Sequence, residues 1–182
     1  MKKALFIMLS AALIVCATVA GTLAWLTDTT DHVVNTFTVG DINIELKETT
    51  GETYKMVPGI ELVKDPTVTV KAGSEACWLF VKVVKSGNFD SFMTFEIANG
   101  WTELTVGSGV YYRNVGDESA VVATDAPFNV IFGNKVTVKN TVTKADLNGL
   151  TEATYPTLTL TAYAVQRAGF ENAADAWAEA SK

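Results

Sequence analysis

From residue 42 the chain alternates: Ile42, Ile44 and Leu46 fall on one side, Asn43, Glu45 and Lys47 on the other. A period of two is the pattern of a half-buried strand, and the run 36–46 is assigned to one. PTVTVKAG (66–73) repeats the alternation and stops at Gly73. ACWLFVKVVK (76–85) is apolar on both faces through Val81, as a central strand covered from both sides requires. SFMTFEI, WTELTV, GVYYRNV and SAVVA then follow at short spacing, separated by Asn99-Gly100, Gly107-Ser108-Gly109 and Gly116-Asp117. FNVIFGNKVTVKN (128–140) reads as a strand with a turn or bulge at Gly133-Asn134, and TLTLTAYAVQ (157–166) as the last strand.

Two segments have helical spacing. TKADLNGL (143–150) is short and ends on a glycine. ENAADAWAEASK (171–182) offers Asn172 as N-cap and Asp175 in the first turn, with Phe170, Ala174 and Trp177 on one face. Trp177 is therefore expected to pack this helix onto the sheets. Many short Val-, Thr- and aromatic-rich strands predict an all-β fold, a jelly-roll or β-sandwich, with a short C-terminal helix. Residues 41–182 are expected to form this single domain, since 182 residues leave little room for another.

The start of the chain follows a different pattern. Lys2 and Lys3 precede an apolar run from Ala4 to Ala20, and small residues follow at Thr22 and Ala24. Residues 1–24 thus predict a secretory signal peptide cleaved between Ala24 and Trp25. Thr18 and Ala20 permit an earlier cut. The alternative is an uncleaved anchor, because residues 4–27 carry no charge and about 20 apolar residues cross a bilayer. Membrane contact is expected only through that uncleaved signal. Val15 before Cys16 is too large for a lipoprotein cleavage box, and more apolar sequence follows it. Cleavage leaves Cys77 alone in an apolar strand, which predicts a buried, inert thiol and no internal disulfide.

The net charge of −6 becomes −8 once Lys2 and Lys3 are removed. No Lys/Arg cluster is available for phosphate, so no nucleic-acid partner is expected, nor adhesion to an anionic membrane surface. The 48% hydrophobic content excludes a disordered chain. No GxSxG, P-loop, GxGxxG or HExxH pattern is present, and no enzyme activity or cofactor is assigned. His32 is the single histidine; with Asp28 and Asp31 it lies in a polar stretch that reads as solvated chain, and no metal site is assigned. GDESA (116–120) reads as a hairpin turn. NGW and YYR supply Trp101, Tyr111 and Tyr112, either as core or as an aromatic sugar-binding face.

Three blocks carry a resemblance. The first is Ala24, Trp25-Leu26, Thr27-Asp28, Thr36-Phe37 and Gly40; the second is Pro58-Gly59 followed by Lys64-Asp65 and a strand; the third is AYAVQRAGFENAADAW (162–177). In this order, behind a signal peptide, they resemble the TasA/camelysin family of exported Gram-positive proteins. The resemblance implies a jelly-roll domain secreted by a Gram-positive bacterium, handled during export by a SipW-type signal peptidase. It further implies fibres of the extracellular biofilm matrix, in which residues 25–40 are donated as a strand to a neighbouring copy or a related matrix subunit. Leu26, Val33, Phe37 and Val39 are the apolar anchors this implies. The metalloprotease activity attached to the camelysin name is not carried over, because one histidine offers no usual zinc-protease site. Two alternatives stand beside strand donation: residues 33–46 as the domain's own first strand, and a secreted monomeric carbohydrate- or ligand-binding module.

Overall fold

A computed structural model describes residues 40–182, apart from 52, 53 and 119. The expected signal peptide, its Ala24/Trp25 cut, the donor-strand anchors Leu26, Val33, Phe37 and Val39, and the Asp28, Asp31, His32 stretch all lie outside the described residues.

The described chain is mostly antiparallel sheet with a few short helices. In order, its elements are β1 (Ile44–Lys47), β2 (Glu61–Val63), β3 (Thr67–Val70), β4 (Cys77–Lys85), α1 (Phe89–Phe92), β5 (Met93–Thr94) and β6 (Thr102–Glu103). They continue with β7 (Val110–Val115), β8 (Ala126–Asn129), β9 (Lys135–Val138), α2 (Lys144–Asn148), β10 (Leu158–Gln166) and α3 (Ala173–Ala180). Three sheets result, with strand orders β1-β3-β8, β10-β4-β7-β6 and β2-β9-β5.

The first and third sheets are nearly continuous. Lys64 N–H donates to the Asn134 carbonyl at 2.8 Å and Val130 N–H to the Pro66 carbonyl at 3.0 Å, bridging β2/β9 to β3/β8. The break is the expected bulge. Between the pairs Val63↔Lys135 and Thr67↔Asn129 the β8–β9 side carries two extra residues, turned through Gly133 (φ 62) and Asn134 (φ 54).

Sheet β10-β4-β7-β6 packs face to face on β1-β3-β8. Val68 and Val70 of β3 meet Cys77, Leu79, Val81 and Val83 of β4, with Val115, Val122 and Val130. The opposite face of β4 presents Trp78 and Phe80 to α3. Strand β4 is therefore covered on both faces, which is why it is apolar in both phases of the alternation. Cys77 is buried and unbridged, and burial pushes its thiol up to about 11.

Helix α3 begins where its cap predicts. The Asn172 side chain accepts from the N–H groups of Ala174 and Asp175, both at 3.0 Å. Trp177 stacks edge-on against Tyr163 at 5.1 Å and tilted against Phe80 at 5.3 Å. Helix α2 likewise starts at Thr143 with a reciprocal Thr143–Asp146 capping box.

Several expectations need correction. The docked face of α3 is Ala173, Ala176, Trp177 and Ala180, and Ala174 is exposed. SFMTFEI is no single strand: α1 ends within it, β5 has two residues, and Ile97 only bridges Ile131. Phe89 and Met93 are buried four residues apart, a helical spacing, which draws the chain into α1. WTELTV keeps only β6, because the chain turns back at Gly107 and Gly109, where Leu104 N–H meets the Val110 carbonyl. SAVVA forms no strand among the described residues; Val122 instead exchanges backbone hydrogen bonds with Gly73 and Ser74. GDESA does turn tightly, with Asp117 bridging Ala120.

Candidate functional site

Strand β10 is nine residues long and pairs with β4 alone among the described residues, in register from Leu158↔Lys85 to Gln166↔Cys77. Its other edge carries no strand among the described residues. Two hydrogen bonds fix which backbone groups point there: Arg167 N–H to the Ala76 carbonyl at 2.8 Å, and Ser86 N–H to the Thr157 carbonyl at 3.0 Å. Directly opposed residues in an antiparallel ladder alternate between bonded and non-bonded pairs. The odd residues Thr159, Thr161, Tyr163 and Val165 therefore bond β4. The N–H and C=O groups of Leu158, Leu160, Ala162 and Ala164 point outward. The side chains of those same four residues face the core between the sheets.

Open edges in soluble proteins are usually short, charged or interrupted by proline. Strand β10 has none of these protections: residues 158–166 contain neither a charge nor a proline. Across the slit, β1 is the contrasting case. Lys71 N–H bonds the Asn43 carbonyl at 2.9 Å, so Asn43, Glu45 and Lys47 pair with β3 and the backbone groups of Ile44 and Leu46 face outward. This edge is four residues long and salted: Lys47–Glu45 at 2.6 Å, and Lys71 bridging Glu45 at 2.9 Å and Asp125 at 3.1 Å. The lysines beside it, Lys47 first and then Lys71, lower the Glu45 carboxyl below its ordinary range.

The two edges enclose a cleft of about 600 Å³, lined by Leu46, Pro66, Leu158 and Leu160, with Lys47, Glu48 and Lys64 at its polar end. An apolar recess of about 260 Å³ adjoins it under Leu158, among Leu62, Phe89, Met93 and Val136. The loop after β1 closes this end. Glu48 accepts from Lys64 Nζ at 2.8 Å and from the Tyr54 hydroxyl at 2.5 Å. The Asp65 carboxylate holds Thr49 and Thr50 through their backbone N–H groups at 3.0 and 3.3 Å, and through both hydroxyls. Those bonds, the Thr49 hydroxyl foremost, pull the Asp65 carboxyl down to about 2.

The structure does not gather Trp101, Tyr111 and Tyr112 on one face. Trp101 and Tyr111 pack against the inter-sheet core, while Tyr112 stacks on Trp78 at 5.8 Å under α3. Trp101 donates its indole N–H to the Asn129 carbonyl at 2.8 Å and lies 5.4 Å from the Arg113 guanidinium, which sits 3.8 Å over Phe128.

Sequence reasoning identified β10 as a strand and missed it as an edge. The lack of charge that makes it distinctive is also what a covered strand shows, so composition pointed the other way. No helix among the described residues is long and apolar enough to cross a membrane. No protein-family model, curated protein or solved structure matches this chain.

Proposed function

We propose that the chain is a secreted structural protein of an extracellular biofilm matrix, a jelly-roll domain that polymerises by lending residues 25–40 to its neighbour. The observation that supports this is that the nine-residue, uncharged, proline-free strand β10 has no partner on its outer edge among the described residues, beside a cleft lined in part by Leu46, Pro66, Leu158 and Leu160. Adding a strand there supplies main-chain hydrogen bonds, and alternate side chains enter the cleft. In the segment 33–39, Val33, Phe37 and Val39 share one phase of the alternation, so they fall on one face of such a strand. A contact between one molecule's N-terminal segment and the next molecule's edge is heterologous; it need not close, and it extends as a filament.

The slit sets a mechanical condition. Cα atoms of β1 and β10 approach within 8 Å, whereas a strand bonded to both edges needs about 9.5 Å between them, twice the interstrand spacing. A donor strand bonded to both edges would therefore move β1 outward. The chemistry is non-enzymatic, with a SipW-type peptidase exposing the donor strand during export.

The test compares secreted protein beginning at Trp25 with protein beginning at Asp41, by light scattering and negative-stain microscopy. Filaments from the long form alone, with a folded monomeric short form, support strand donation. A long form that stays monomeric across concentration removes it.

A further inference from the structure

A second pocket, of about 490 Å³, lies where the loop from β10 to α3 faces the turn after β7. It is lined by Trp78, Glu118, Arg167, Phe170 and Glu171 together with loop backbone. Trp78 is only 8% exposed, and its indole N–H has no hydrogen-bond partner among the described residues. An indole N–H can only donate, and a buried donor left unpaired marks a place where an acceptor is missing.

The other groups define that acceptor. The Arg167 guanidinium forms an ion pair with Glu118, Nε to carboxylate oxygen at 2.9 Å, and can only donate; Glu118 and Glu171 offer carboxylate acceptors. Glu118 and Glu171 outnumber the one cation, Arg167, so an anionic ligand is repelled. A simple cation has nothing to give Trp78 or Arg167. A neutral polyol answers both sets: its oxygens accept from Trp78 and Arg167, its hydroxyls donate to Glu118 and Glu171, and its C–H face lies on Phe170. We propose that this pocket binds one neutral sugar unit. It is separate from the β10 edge and does not depend on polymerisation.

Seating requires the loop 167–171 to yield, since the Trp78 N–H is sealed as the loop stands. That loop turns at Gly169 (φ 93) and carries one internal backbone bond, Phe170 N–H to the Arg167 carbonyl, stretched to 3.3 Å.

The experiment titrates the secreted chain with glucose, a cello-oligosaccharide and an N-acetylglucosamine oligomer, using an oligogalacturonate as charged control. Calorimetry and tryptophan fluorescence are read together. At least one neutral saccharide is expected to bind saturably, with a fluorescence change lost in Trp78→Phe. Arg167→Gln and Glu171→Gln, both surface changes, are expected to weaken binding about tenfold or more with unaltered melting. The proposal is overturned if no neutral saccharide binds, if the oligogalacturonate binds more tightly, or if both surface variants bind as the parent does. Should Trp78→Phe fail to fold, those two variants decide alone.

Discussion

The open edge of β10 makes a prediction that separates docking from folding, through the direction of a single N–H. At Ala162 the backbone N–H points away from β4, because the bonded pairs run through Tyr163↔Phe80 and Thr161↔Lys82. Ala162→Pro therefore deletes an outward donor and leaves the β10–β4 ladder whole, the placement in which a strand tolerates proline. Thr161, the residue before it, is already extended as a residue preceding proline prefers. The expected loss of stability is about 1 kcal/mol or less. Docking suffers more, since the incoming strand's carbonyl opposite residue 162 is left without a donor. An unmet buried carbonyl costs about 1–3 kcal/mol, or roughly 5- to 150-fold in affinity per contact. Tyr163→Pro is the control. It breaks a ladder bond and removes the ring stacked 5.1 Å from Trp177, for a loss of about 4 kcal/mol or more in folding. Urea melts give the stabilities, and light scattering against concentration gives the onset of assembly. An Ala162→Pro protein that is folded and assembles at the parent's onset concentration excludes β10 as the acceptor edge. One that unfolds as badly as Tyr163→Pro shows the ladder phase to be wrong.

Asn172→Ala removes the side chain that accepts from Ala174 and Asp175, and is expected to cost about 1 kcal/mol, seen as a lower Tm by circular dichroism. Phe80→Ala opens a hole beneath Trp177 and Tyr112 and should cost about 3–5 kcal/mol in urea melts. Because burial holds the Cys77 thiol up to about 11, its alkylation at pH 8 should track unfolding; rapid labelling of folded protein starting at Trp25 refutes that burial. The Asp65 carboxyl is depressed to about 2 from an unfolded value near 3.9, so it binds protons more weakly when folded. Its contribution is present above about pH 4 and lost as pH falls through about 2, and Asp65→Asn should flatten stability against pH in that window alone.

How far the chain could be read from its letters depended on what each element's neighbours demand. Strand β4 was legible because both faces are buried, one against the facing sheet and one under α3, and burial on two sides leaves an apolar run no helix period explains. The cap of α3 was legible because Asn172 satisfies the helix's own first N–H groups, a purely local matter; the Thr143–Asp146 capping box of α2 is equally local and went unread. The face of α3 was misassigned by one residue, since alanines at 173, 174 and 176 carry almost no hydrophobic contrast and only the Tyr163 and Phe80 rings select among them. Strand β2 escaped notice because three residues, ELV, give no period to measure. What no local pattern can state is how many partners a strand has. Leu158, Leu160, Ala162 and Ala164 alternate with Thr159, Thr161 and Tyr163 whether or not a further strand lies beyond them. The open edge emerges only from the pairing. The two edges differ: the chain places Glu45 and Lys47 on the four-residue edge β1 and no charge on the nine-residue edge β10. An uncharged edge of that length beside a cleft is where the proposed strand addition would act.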